Sequence, residues 1–128
     1  MRAVVDSSAL LALILDEPGA SEVEPLLDAL VISTVNLAEV VAALARDGNP
    51  EEEVRGIVTD LALTAVAPDE EMAIDAGLLR AATDPAGLSL GDRFCLALAR
   101  RLAAPVLTAD KAWRRIERAA GVQIRTIR

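Results

Sequence analysis

The sequence contains no histidine and no tyrosine, and its single cysteine is Cys95. Without histidine, Ser-His-Asp and Cys-His catalysis and histidine-ligated zinc are excluded. One cysteine permits no internal disulfide, and a cytoplasmic location is the default expectation. Aromatic residues are limited to Phe94 and Trp113, too few for a platform on which single-stranded bases stack. The seven glycines form neither a Walker nor a dinucleotide-binding fingerprint. No apolar run is long enough to span a bilayer. The opening has the look of a short signal peptide, with Arg2 ahead of "ALLALIL". An acid at its start and "DEPG" after it argue against export. Carboxylates, hydroxyls, arginines and one lysine, Lys111, remain for chemistry.

What is present describes a globular chain. Its 128 residues are 53% hydrophobic and 26% charged, which fits one domain over residues 1–128 with a substantial core. A net charge of −7 argues against nucleic-acid binding over the whole surface. The charge is unevenly spread. Residues 1–92 carry 18 acids and 4 bases, whereas residues 93–128 carry 2 acids and 9 bases. The basic last third permits a local rim that binds polyanions, although two solvated helix faces would look the same.

Strand and helix signals alternate along the chain. "AVVD", "LVISTV", "LTAVAP", "PVLTA" and "VQIRTI" read as strands. Helices are predicted over about Ser8–Leu15 and Ala20–Ala29, then over "NLAEVVAALARDG" with Asn36 as N-cap and Gly48 as stop. Further helices follow in "NPEEEVRGIVTDLA", with Pro50 near its first position, in "DEEMAIDAGLLRAA", in "DRFCLALARRLA" and in "DKAWRRIERAA". "TDPAGLSLG" reads as a loop. This order predicts a three-layer α/β/α domain with a mainly parallel sheet covered on both faces.

In such a fold the C-terminal ends of strands and the N-terminal ends of helices share one edge, where ligands bind. Asp6 ends the first strand, and it is the only ionisable group from Ala3 to Leu15. Glu39 is expected in the first turn after the second strand and is the only ionisable group from Val31 to Ala45. Asp92 begins the long helix after "GLSLG", and Asp110 follows the fourth strand in "VLTAD". Taken singly, Asp6, Asp92 and Asp110 could be helix caps and Glu39 an acid favoured by the helix dipole. Ser7 and Ser8 could cap the first helix in place of Asp6, which weakens that simpler reading. Two carboxylates about 6 Å apart repel by roughly 3 kcal/mol at an effective dielectric near 20. A divalent cation would relieve four of them together, and all-oxygen ligation selects Mg²⁺ or Mn²⁺ over zinc.

Four segments, "VVDSSALLAL", "NLAEV", "LSLGDRFCLALA" and "VLTADKAW", together resemble the PIN domain, and within it the VapC type of toxin ribonuclease. The resemblance runs over essentially the whole chain, with the motifs in the family's order. It implies a parallel sheet of strand order 3-2-1-4-5. It makes Asp6, Glu39, Asp92 and Asp110 the acidic metal-site residues and places the Thr108 hydroxyl beside them. Ser7 and Ser8 match small polar positions after the first acid. The activity implied is Mg²⁺-dependent endoribonuclease cleavage by a metal-activated water, giving a 5′-phosphate and a 3′-hydroxyl. Asp6 and Asp92 are assigned as principal ligands, with Asp110 and Glu39 at a second position or orienting the water. Arg93 with Arg114 or Arg115 would hold substrate phosphates. The resemblance also implies a cognate antitoxin and homodimerisation, with RNA as substrate and no membrane. The first two helices could offer the antitoxin a groove, or simply face the core.

Three other readings share the small acidic α/β frame. A phospho-acceptor receiver module would use an acceptor after strand three, where Pro68-Asp69 stands, and needs adjacent acids where Asp6 has serines. A phosphatase with an Asp nucleophile would want a second Asp where Ser8 stands. A non-catalytic interaction module would bind no Mg²⁺. Acetyl phosphate labelling separates the receiver from a nuclease.

Overall fold

Five short strands form the middle layer of the structure, a computed structural model that describes residues 2–128. They are β1 (Ala3–Val5), β2 (Leu30–Ser33), β3 (Thr64–Val66), β4 (Val106–Thr108) and β5 (Ile124–Thr126). All pairings are parallel and the order across the sheet is β3-β2-β1-β4-β5. The expected order is therefore the observed one. β1, β2 and β4 are buried throughout, as their almost wholly apolar sequences require. β3 lies at one edge and is largely exposed.

The two-residue period of a strand divides the core into two layers. Val4, Val31 and Val106 face one side, where they join Met72, Leu96, Leu98, Trp113 and Ile116. Ala3, Val5, Leu30, Ile32 and Leu107 face the other, against Leu10, Val23, Val40 and Leu44. Helices α1 (Ser7–Ile14), α2 (Ala20–Val23), α3 (Thr34–Arg46) and α4 (Glu51–Leu61) supply the second layer. Helices α5 (Glu70–Leu78), α6 (Arg80–Thr83), α7 (Leu90–Leu102) and α8 (Glu117–Ala120) supply the first. Among the described residues no helix is long and apolar enough to cross a membrane.

Several predicted boundaries move, each for a local reason. The helix expected over Ala20–Ala29 is α-helical only to Val23 and continues as a 3-10 helix over Glu24–Ala29, where Pro25 interrupts the α pattern. The helix after β2 starts at Thr34 and is capped by Ser33, whose hydroxyl accepts from Val35 N, so Asn36 is not the N-cap. Glu39 thus sits in the second turn of α3 rather than the first. Pro50 is the N-cap of α4. The predicted loop 83–91 includes a 3-10 turn at Asp84–Ala86, and the helix from residue 110 is 3-10 over Lys111–Ile116 before it becomes α8. α7 begins at Leu90, capped by Ser89, so Asp92 is its third residue rather than its first.

Candidate active site

Asp6 stands where β1 ends and α1 begins, and it is only 3% exposed. Its Oδ1 accepts from Ala9 N at 2.8 Å, so the aspartate caps α1 and the two serines after it do not. The hydroxyls of Ser8 and Thr108 both donate to it, Ser8 at 2.8 Å to Oδ1 and Thr108 at 2.7 Å to Oδ2. Those hydroxyls in turn accept from the β4–α8 connection, Ser8 from Ala109 N at 3.0 Å and Thr108 from Asp110 N at 3.1 Å. One network therefore ties the end of β1 to the end of β4. Burial still dominates: it raises the Asp6 carboxyl to about 6 despite these donors, with the charge of Asp92 adding to the shift.

Glu39 reaches the same edge from α3. Its Oε1 accepts from Ser7 Oγ at 2.6 Å and from Asn36 Nδ2 at 2.8 Å. Asn36 Nδ2 also donates to the Gly91 carbonyl at 3.0 Å, which pins α3 to the first turn of α7. Asn36 is fully buried, and its own Oδ1 finds no partner. Sequence reading gave this residue a capping role; it holds Glu39 in place instead. The spacing Asn36…Glu39, three residues apart on one helix face, is the signal that was available.

Asp92 forms a capping box at the start of α7, its Oδ2 accepting from Ser89 N at 2.9 Å. Its carboxyl is raised, first by burial and then by the charges of Glu39 and Asp110. Asp110 accepts from Ala112 N at 2.9 Å and caps the 3-10 helix. Beneath them the Cys95 thiol is fully buried, and its pKa is pushed well above the usual range by burial and by the charges of Asp6, Asp92 and Glu39. It is inert as a nucleophile.

The four acids therefore share one edge and one electrostatic field. Each carboxylate is nevertheless satisfied locally, by a cap or by hydroxyl and amide donors. Among the described residues, no three Asp, Glu or Cys side chains as they stand form a group that could hold a metal ion. The donor chemistry suits a hard divalent cation: every group is a carboxylate or hydroxyl oxygen, and no softer ligand competes. Burial disfavours the ionised Asp6 carboxyl despite its three donors, and a cation at this edge would favour it. By donor type and by charge, the residues fit Mg²⁺ or Mn²⁺.

Gly91 explains how closely α3 and α7 meet here. A Cβ on it would lie 2.5 Å from Glu39 Oε2 and 2.9 Å from its Cδ. Alanine at a helical glycine ordinarily adds up to about 1 kcal/mol of stability. Here Gly91→Ala should instead push the Glu39 carboxylate off Ser7 and Asn36, which costs about 0.5–1.5 kcal/mol per hydrogen bond. The expected result is no gain in melting temperature, with the gain recovered when Gly91→Ala is made together with Glu39→Ala. A stabilised single variant would show that the two groups do not press on one another.

The arginines assigned to phosphate binding differ among themselves. Arg93 is half-buried, its Nη1 donating to the Leu88 carbonyl at 3.4 Å while Nε has no partner. Arg114 donates to Thr126 Oγ1, at the level of Thr108 in the β4–β5 register. Arg115 is exposed. Asp69, the acceptor a receiver module would need, caps α5 and is bound by Arg101 at 2.8 and 3.1 Å. That pairing lowers its carboxyl to about 2. Arg101 is nine residues beyond Asp92 on α7, about 13 Å at 1.5 Å per residue, so Asp69 belongs to the other end of that helix.

Comparisons with known proteins agree with this architecture. The PIN domain family model matches residues 3–119. No curated protein sequence matches the chain. Among solved structures it is similar to DNA-bound VapBC from Salmonella typhimurium, at a TM-score of 0.76 and 18% identity, covering 100% of this chain and 99% of that one. It is also similar to VapBC-1 from nontypeable Haemophilus influenzae, at 0.74 and 20%, covering 99% and 98%. VapBC-5 from Mycobacterium tuberculosis matches at 0.64 and 20%, covering 97% and 98%. At these identities the likeness establishes the fold.

Proposed function

The chain belongs to the PIN domain family, and from that premise we propose that it is a Mg²⁺-dependent endoribonuclease of the VapC type, the toxic half of a toxin–antitoxin pair. The observation that carries the proposal is Asp6: a buried carboxylate whose pKa is raised to about 6 in a field to which Asp92 contributes. Such a group destabilises the empty fold and becomes useful once a cation is bound.

Asp6, Asp92, Asp110 and Glu39 would hold the ion. Bound there, Mg²⁺ or Mn²⁺ supplies positive charge that lowers the pKa of an attacking water and offsets charge on the leaving oxygen. The chain's own residues do the rest. Ser8, Thr108 and Ala9 N fix the Asp6 carboxylate, and Ser7 and Asn36 fix Glu39. Asp92 and Asp110 each use one carboxylate oxygen in a cap, Oδ2 for Ser89 N and Oδ1 for Ala112 N, and would offer the other to the ion. Arg114 and Arg115, beyond the fourth strand and within five residues of Asp110, would draw the phosphodiester toward the carboxylates. Water attack leaves a 5′-phosphate and a 3′-hydroxyl and needs no ribose 2′-hydroxyl as nucleophile.

The similar VapBC structures, and a similar toxin–antitoxin complex from Klebsiella pneumoniae, support a cognate antitoxin as partner. Self-association belongs to the same reading: Ile74 and Leu78 on α5 and Leu90 on α7 are large apolar side chains left exposed. So does a cytoplasmic location. Purified protein, freed of any antitoxin, is expected to cleave single-stranded or looped RNA with Mg²⁺ or Mn²⁺, to stop in EDTA and to recover when metal is restored in excess. Cleavage undiminished in EDTA would rule out the metal mechanism.

A further inference from the structure

The end of the sheet opposite the carboxylates carries a second charged feature. There a polar cavity of about 470 Å³ is lined by Arg2, Arg125, Gln123 and the turn Ala103–Pro105. An adjoining cavity of about 380 Å³ shares Ala103, Ala104, Pro105 and Gln123 and adds Arg100. Together they make one furrow between the C-terminal end of α7 and the strand starts of β1, β4 and β5. Neither cavity has an Asp or Glu in its lining, in a chain with 20 acids. Arg2, Arg100 and Arg125 are exposed, and among the described residues none of them forms an ion pair. By contrast Arg55, Arg80, Arg101 and Arg128 are each paired with a carboxylate.

The sheet register links this furrow to the carboxylate edge. Thr126 of β5 pairs in register with Thr108, whose hydroxyl binds Asp6, and Arg114 holds Thr126 from outside. Arg125 is one residue further down β5, and Gln123 two residues below that. β5 is the last strand of the sheet, so no further strand covers its outer side. Arg114 bonds Thr126 on one face of β5, Arg125 projects from the other, and Arg2 and Arg100 lie at the furrow, so basic side chains flank this uncovered edge between the acids and the furrow.

We infer that the furrow is a distal phosphate subsite for the RNA whose scissile bond lies at Asp6, Glu39, Asp92 and Asp110; this rests on the ribonuclease reading above. Guanidinium groups offer forked donors that match phosphate oxygens. The floor of Leu102, Ala, Pro and Gln has no aromatic ring, so it reads backbone and not bases. Arg2 precedes Asp6 by four residues along β1, about 13 Å at 3.3 Å per residue. Only a strand of several nucleotides spans both places, so the subsite favours long substrates.

The test compares wild type with Arg2→Ala/Arg125→Ala on a long single-stranded RNA and on a short fragment spanning its mapped cut. Both residues are exposed, and melting curves establish that the variant is folded. The variant should keep kcat on both RNAs and KM on the fragment. Its KM on the long RNA should rise about tenfold or more, in line with lost charge-assisted contacts. Binding of the long RNA in EDTA should lose about 1.4 from its log–log salt slope, about 0.7 for each of two phosphates. Arg2→Lys/Arg125→Lys should restore the slope. If wild type cleaves both RNAs and the alanine variant matches it on the long one, the furrow is not an RNA subsite. If wild type cleaves neither, the ribonuclease reading fails and this inference fails with it.

Discussion

Asp92→Asn is expected to abolish RNA cleavage while melting, in EDTA, at a temperature equal to or above that of wild type. The substitution keeps the shape and keeps an oxygen to accept from Ser89 N, so the capping box survives. It removes one negative charge from a place where burial and the charges of Glu39 and Asp110 already resist ionisation. Mg²⁺ at a hundred times its dissociation constant should stabilise wild type by about 2.7 kcal/mol, and the variant should lose most of that. Activity should fall by more than the roughly 10–100-fold typical when an outer partner of a metal ligand is removed. Asp92→Ala separates the two roles of the side chain, since it also gives up the cap and should cost about 1 kcal/mol in EDTA. Melting curves of the three proteins, each with EDTA and with Mg²⁺, decide the matter. Unaltered Mg²⁺ stabilisation in Asp92→Asn would leave Asp92 as a cap and remove it from the cation site.

The sheet was legible because its strands are short, apolar and separated by strongly patterned helices. The four acids were legible because each is isolated in an apolar or turn-forming stretch. What the sequence hid was cap competition. Ser33 precedes Asn36 and starts α3 early, which moves Glu39 one turn along and frees Asn36 to hold it. Asp6 competes with Ser7 and Ser8 to cap α1 and wins, since its carboxylate already lies at the Ala9 amide while the Ser8 hydroxyl turns to Ala109. Gly91 carried no local signal, because its requirement comes from a helix 52 residues earlier, through the carboxylate of Glu39. The 3-10 stretches at Glu24–Ala29 and Lys111–Ile116 differ from α-helix by a single hydrogen-bond step, which an apolar pattern does not distinguish.

Asp6→Asn is expected to stabilise the metal-free protein at neutral pH, by an amount that grows with pH. The folded carboxyl titrates at about 6 against an ordinary 3.8, so the fold favours the protonated form. For such a raised acid the stability contribution is present in full below the unfolded pKa and is lost as pH rises through the folded one. At 3% exposure little solvent screening applies, and the full loss is on the order of 3 kcal/mol. Asparagine carries no charge at any of these pH values. Its oxygen can accept from Ala9 N, and the Ser8 and Thr108 hydroxyls can rotate to accept from its amide. The difference between variant and wild type in EDTA should therefore rise by about 1 kcal/mol between pH 5 and pH 7 and then level off by pH 8. Saturating Mg²⁺ should shrink it, because the ion stabilises only the ionised wild-type side chain. Thermal or urea unfolding across that range gives the result directly. A difference that stays constant with pH, or a variant less stable than wild type at pH 7, would mean that Ala9 N, Ser8 and Thr108 already compensate the buried charge. Asp6 would then be a well-satisfied structural cap, and the strongest physical argument for a cation at this edge would be gone.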